Sequence, residues 1–295
     1  MATGPNLSSS ISSEERIANA LAGYQNMGPV RIGNAAVSQI QNDVYGSIVL
    51  TAAQMFWDAR LTYKGLATLY QQLRGVGRMA ARCALTVDSG PWEYRGRASI
   101  HTYSAAMCWA ALHRLALIAD RVGEPAEAAE WERQARALRE EIITRATMKE
   151  GWISGLLDTP CADATCLLLP EIGLLPAGDP RIGKTLDVVG KRLVRDGFVM
   201  RYDEADDFGP PETAFLVCTF WYVDALAFAG RRDEAREIFK NALAVRNSTG
   251  LLSEDVLAAT QTLWGNFPQA YSHVGLIHSA ARLSRGWEEA LWRAS

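Results

Sequence analysis

Two kinds of helix pattern alternate along this chain, and the alternation limits the folds open to it. One kind is apolar around most of its circumference, as in TAFLVCTFWYVDALAFA at 213–229, and such a helix must be covered on nearly all sides. The other carries a charged face and a narrow apolar stripe, as at 124–144 and 231–246, and meets water on one side. Apolar segments start near Ala35, His101, Ala162, Glu212 and Phe267; amphipathic ones start near Lys64, Glu124, Pro180 and Arg231, always between two apolar ones. Helical hairpins of this type stack into an open solenoid or close into a double ring, and only the ring covers both flanks of its inner helices. The expectation is an all-α toroid, with 13–25 as a candidate for one more helix. Strand-like pieces near Gly151 and Phe198 read as loop hairpins. Asp179 before Pro180 reads as a helix start, and Gly123 and Gly230 read as helix ends.

The 295 residues are 48% hydrophobic and 21% charged, enough for a substantial core, with a net charge of −3 spread over both halves. No polybasic surface points to nucleic acid, and no apolar run reaches the ~20 residues of a membrane span. The first residues lack the basic and apolar regions of a signal peptide, so a cytoplasmic protein is expected. Residues 1–12, rich in serine, read as a flexible lead to a single domain over 13–295. Five cysteines without paired spacing and four histidines give no zinc pattern, so neither metal nor cofactor is expected.

If the apolar helices form a parallel inner ring, the loops leading into them gather on one face. Those loops hold GNAA (33–36), WEYRG (92–96), DFGPPE (207–212) and LLSED (251–255). Glu93 and Glu254 thereby converge from distant parts of the chain, in irregular segments with apolar neighbours. Hydrolysis of a glycosidic bond needs such a pair, one acid to protonate the leaving oxygen and one carboxylate to activate water or attack. Trp92 and Trp264 lie in the same loops, where flat aromatic faces can stack on sugar rings.

Five stretches carry a resemblance: GPVRIGNAAVSQIQNDVYG (28–46), GPWEYRGRASIHTYSAAMCWAAL (90–112), DPRIGKT (179–185), ETAFLVCTFWYVDAL (212–226) and GLLSEDV…WGNFPQAYSHVGLI (250–277). Together they resemble bacterial members of glycoside hydrolase family 15, which holds glucoamylases, glucodextranases and a group of trehalases. The resemblance implies an (α/α)6 barrel acting on a small carbohydrate such as trehalose or a short α-glucan. It implies Glu93 as general acid and Glu254 as general base of an inverting reaction, with carboxylates ~6.5–9.5 Å apart. Trp92, Arg95, His101 and Glu212 fall where the matching loops line the pocket. The family-like region starts near Gly23, so the expectation is a sequence without the family's N-terminal β-sandwich and about one hairpin of six, as a fragment or a native form; by the resemblance that part supplies an Arg-Asp pair to grip the sugar. The ring therefore leaves room for a homo-oligomer or a partner chain that closes it.

Two other function classes fit the residues: a barrel repurposed for acid–base cyclisation or dehydration of a non-sugar metabolite, and a non-catalytic helical scaffold. GDPRIGKT at 178–185 matches a phosphate-loop pattern, but Pro180 puts Gly183 inside a helix with no strand before it, where that motif cannot work.

Overall fold

The computed structural model describes residues 15–284 except 27, 63–66, 95 and 207–208. Eight α-helices are found among them: α1 (Asp43–Trp57), α2 (Ala67–Cys83), α3 (Thr102–Arg121), α4 (Pro125–Ala146), α5 (Pro180–Arg192), α6 (Leu216–Phe228), α7 (Arg232–Ala244) and α8 (Ala270–Ser284). The inner elements pack in the order α1, α3, a 3-10 turn at Ala164–Leu168, α6 and α8, and the outer helices α2, α4, α5 and α7 lie behind them. The result is a mostly helical toroid in which, among the described residues, the end helices α1 and α8 share no extended packing.

Burial follows position in this arc. The middle helices α3 and α6 bury most of their circumference, with Leu112, Leu115, Ile118, Phe220 and Leu226 all at or near zero exposure. The end helices bury one stripe only, through Val49, Ala53 and Phe56 on α1 and Ser272, Gly275 and Ser279 on α8. Gly123 and Gly230 take positive φ just past α3 and α6, and the next backbone N–H reaches back to Ala119 and Leu226. These are the left-handed helix ends that glycine allows. Asp179 caps α5, accepting from the Arg181 N–H at 3.0 Å, and Gly183 lies inside that helix, so the phosphate-loop pattern has no loop.

Three expectations change. The segment at 13–25 supplies no helix within its described part: Arg16–Ile17 pairs antiparallel with Arg31–Ile32, and Tyr24–Asn26 is a 3-10 turn. The apolar stretch from Ala162 is a short 3-10 turn rather than a long helix, and Pro170 has no N–H with which to continue it. The helix expected near Ala35 starts at Asp43, after a 3-10 turn at Ala35–Ser38. The expected hairpin near Phe198 is present as Val194–Arg195 with Phe198–Val199, turning through Asp196 and Gly197 at positive φ. A three-stranded sheet of Ala214–Phe215, Asp255–Leu257 and Thr262–Trp264 was not foreseen; its strands are too short for an alternating pattern. Residues 1–12, the expected flexible lead, and Lys64, the expected start of α2, lie outside the described residues. All five cysteines are free thiols, and burial pushes that of Cys108 up to about 12. No helix among the described residues is long and apolar enough to cross a membrane.

The α1–α3 crossing is close enough to demand glycine. A Cβ on Gly46 would stand 2.3 Å from the Met107 carbonyl oxygen, a backbone atom that cannot swing away. Gly46→Ala is expected to cost about 1–3 kcal/mol. Gly75→Ala, in α2 with nothing within 4 Å, should instead stabilise by about 0.5–1 kcal/mol. Denaturant melts of the two variants beside the parent check both signs.

Candidate active site

The loop at 90–93 makes a tight turn in which the Glu93 N–H donates to the Gly90 carbonyl and the Tyr94 N–H to that of Ser89. Glu93 itself holds φ +59, a left-handed conformation uncommon for a residue with a Cβ and concentrated at functional sites. Its side chain is exposed, and Asn34 Nδ2 donates to its Oε2 at 3.3 Å. Gln39 Nε2 ties the same turn down through the carbonyls of Glu93 and Tyr94, at 2.9 and 3.1 Å.

Trp92 anchors the turn to the interior. Its indole N–H donates to Asp163 Oδ2 at 2.9 Å, and its ring meets Tyr202, Phe215 and Trp221 with centroids about 6 Å apart. Asp163 also accepts from the Thr165 N–H and hydroxyl. Burial raises the Asp163 carboxyl above the usual carboxylate range; the bonds from Thr165 and Trp92 oppose this without overcoming it.

Phe215 joins the two glutamate loops. It packs on Trp92, and its backbone pairs with Asp255, the residue after Glu254. The Leu216 N–H donates to the Glu254 carbonyl, and the Glu254 N–H to that of Asn266. Glu254 is half-buried, its Oε2 accepting from Asn266 Nδ2 at 2.8 Å and Asn266 N at 3.2 Å. Beside it Arg201 Nη2 reaches both Asp255 oxygens, at 3.1 and 3.3 Å, and its guanidinium lies 4.5 Å over Phe215. Asp255 also accepts from Thr213 at 2.5 Å; burial raises its carboxyl while Arg201 and Thr213 pull the other way.

The remaining residues expected in the site fall in different places. Trp264 is half-buried beside the Glu254 loop, its ring edge-on to Tyr24 at 5.3 Å. His101 is 3% exposed and lies under the Glu93 loop, with Nδ1 2.7 Å from Asp88 and Tyr94 stacked on its ring, rather than in the cavity wall. Glu212 is exposed, two residues before the strand that carries Phe215. Arg95 lies outside the described residues. Asn34, Asp163, Arg201, Asp255 and Asn266 are polar members that the sequence did not single out. Asp163 and Asn34 had a local signal, as capping residue types before the turns that start at Ala164 and Ala35.

Below Trp92 a cavity of about 340 Å³ opens on the axis of the toroid, lined by Asp43, Tyr103, Phe215, Trp221, Asp224, Tyr271 and His278 among others. Aromatic walls with a few polar groups suit a polyol ring. Glu171, Asp224 and His278 come within 4.8 Å of one another and are the described group that could hold a metal ion. The guanidinium of Arg282 already brings positive charge there, bonding Glu171 and lying 3.7 Å from Asp224.

Comparison with known proteins matches the family described as Glycosyl hydrolases family 15 over residues 6–281. The chain is 33% identical over 273 residues to a trehalase of Mycolicibacterium smegmatis, which covers 92% of this chain and 40% of that one. It is 34% identical over 281 residues to a trehalase of Thermoplasma volcanium, covering 94% and 44%. The chain thus spans less than half the length of these curated relatives. Among solved structures, a wild-type glycosidase superposes with a TM-score of 0.67 at 18% identity, over 88% of this chain and 72% of the other. A bacterial glucoamylase complexed with acarbose does so at 0.63 and 17% identity, over 83% and 41%.

The buried Asp163 gives a pH signature. Its folded pKa is raised, so the folded state holds this proton more tightly than the unfolded chain, and its contribution to stability grows as pH falls from neutral toward the unfolded value. Asp163→Asn removes that contribution and sets an amide NH2 against the donors of Trp92 or Thr165, at a cost of about 1–3 kcal/mol. Melting curves at pH 7 and pH 5 should show the variant's deficit widening at the lower pH.

Proposed function

The chain belongs to glycosyl hydrolase family 15, and from that premise we propose that it takes part in hydrolysis of an α-glucoside, trehalose or a short α-glucan, with Glu93 as general acid and Glu254 as general base. The observation that carries this reading is the bridge at Phe215, which packs on the residue before Glu93 and pairs with the residue after Glu254. Glu93 and Glu254, 161 positions apart in sequence, belong in this reading to the two loops that Phe215 joins, next to the aromatic cavity that Trp92 and Phe215 line.

In this reading Glu93 protonates the glycosidic oxygen as the C–O bond breaks. Glu254 takes a proton from a water that attacks the anomeric carbon from the opposite side. Both carboxylates are held by side-chain amides, Asn34 for Glu93 and Asn266 for Glu254, which orient them without adding a competing charge. Trp92, fixed by Asp163, offers a flat wall to the sugar ring. Arg201 is neutralised by Asp255, and in this role it holds the Glu254 strand in register with Phe215.

Glu93→Gln, at an exposed side chain, and Glu254→Gln, a near-isosteric change at a half-buried one, should leave the melting temperature nearly unchanged. Either should lower the rate of glucose release from trehalose or maltose by about 10²–10⁴-fold. Full activity in either variant contradicts the assignment. Proton NMR of the first product formed distinguishes the stereochemistry, with β-glucose expected from single-step inversion of an α-glucoside.

A further inference from the structure

The Glu93 turn is braced from two sides. Trp92 ties it to Asp163, and the second brace is the imidazole of His101, the residue that the sequence alone put in the pocket wall. Two backbone bonds close the turn, from the Glu93 N–H to the Gly90 carbonyl at 3.3 Å and from the Tyr94 N–H to the Ser89 carbonyl at 3.1 Å. Gly90 and Glu93 both hold left-handed conformations, φ +65 and +59. A residue with a Cβ keeps such a conformation only where its surroundings over-determine it.

The His101 ring meets both ends of this turn. A Cβ on Gly90 would stand 2.7–2.8 Å from three of its atoms, so the edge of the imidazole fills the space that glycine leaves. At the other end Tyr94 stacks on the ring, with centroids 5.7 Å apart and planes 15° from parallel. The ring in turn is fixed. Its Nδ1 lies 2.7 Å from Asp88 Oδ1, which sets the plane of the imidazole. The other Asp88 oxygen accepts from the Asn42 N–H at 2.9 Å, and the Asp88 backbone bridges to Ser99, so the carboxylate is anchored to the start of α1 and to the strand-like approach to α3. We propose that His101, oriented by Asp88, is a positioning residue for Glu93: the turn is seated on its imidazole, which sets the direction of the Glu93 carboxylate through Gly90 and Tyr94. This rests on the reading of Glu93 as the general acid. His101 is buried and outside the cavity lining, so its effect falls on turnover rather than on binding. A misplacement of about 1 Å can slow a reaction by about 10²-fold.

The test pairs amide exchange of the 89–94 segment, read by mass spectrometry, with kcat and KM for glucose release from trehalose and maltose. His101→Asn removes the ring while leaving an amide within reach of Asp88; Gly90→Ala pushes on the same contact from the turn side. Gly46→Ala, at the α1–α3 crossing, is the control that loses stability without touching the turn. In both turn variants the segment should exchange about tenfold faster or more, and kcat should fall by about 10–10²-fold with KM within about twofold. Gly46→Ala should melt lower yet match the parent in local exchange and in kcat. Parent-like exchange of the segment in His101→Asn overturns the proposal, whether or not either sugar is turned over. So does a loss of kcat no larger than that of Gly46→Ala, which leaves His101 a merely structural residue. Failure of the underlying reading shows separately, as full activity in Glu93→Gln, and then the seat no longer serves an acid.

Discussion

The clasp around Trp92 organises the candidate site. One indole joins four segments: the Glu93 turn that carries it, Asp163 at the 3-10 turn, Tyr202 after the β-hairpin, and Phe215 at the start of α6. Burying a large aromatic side chain contributes about 1.5–3 kcal/mol, and its N–H, once buried, needs an acceptor. Asp163 is that acceptor and is itself saturated by Thr165, so the ring has one defined position. Glu93 follows Trp92 directly in a left-handed turn, and the carboxylate inherits its placement from the clasp.

From Phe215 the constraint passes to the other glutamate through backbone rather than side chain. Strand pairing with Asp255 sets the register of the Glu254 loop, and the ion pair of Arg201 with Asp255 locks it. A slip of one residue would turn every side chain of such a strand to its opposite face. The short sheet thus does for Glu254 what the indole does for Glu93. Both devices stand at the starts of α3 and α6, the two helices most fully covered by their neighbours.

Glu93 and Glu254 stood out in the sequence because each is a glutamate in a loop with apolar neighbours, a placement that solvation alone does not require. The residues that hold them did not. Asn34, Asn266, Arg201 and Asp255 act on partners 12 to 59 positions away, and no local pattern marks such a pairing. His101 shows the converse: its position before α3 suggested the pocket, yet packing turned it inward onto Asp88 and Tyr94.

The sequence by itself determined the helices, their alternation between buried and half-exposed, their caps and the loops that carry the two glutamates, because hydrophobic period and capping chemistry act within a few residues. Tertiary structure alone decided the packing order of the inner elements, the short sheet that joins Phe215 to the Glu254 loop, and which amides and ion pairs hold the carboxylates. Those outcomes depend on contacts between segments that only the folded chain brings together.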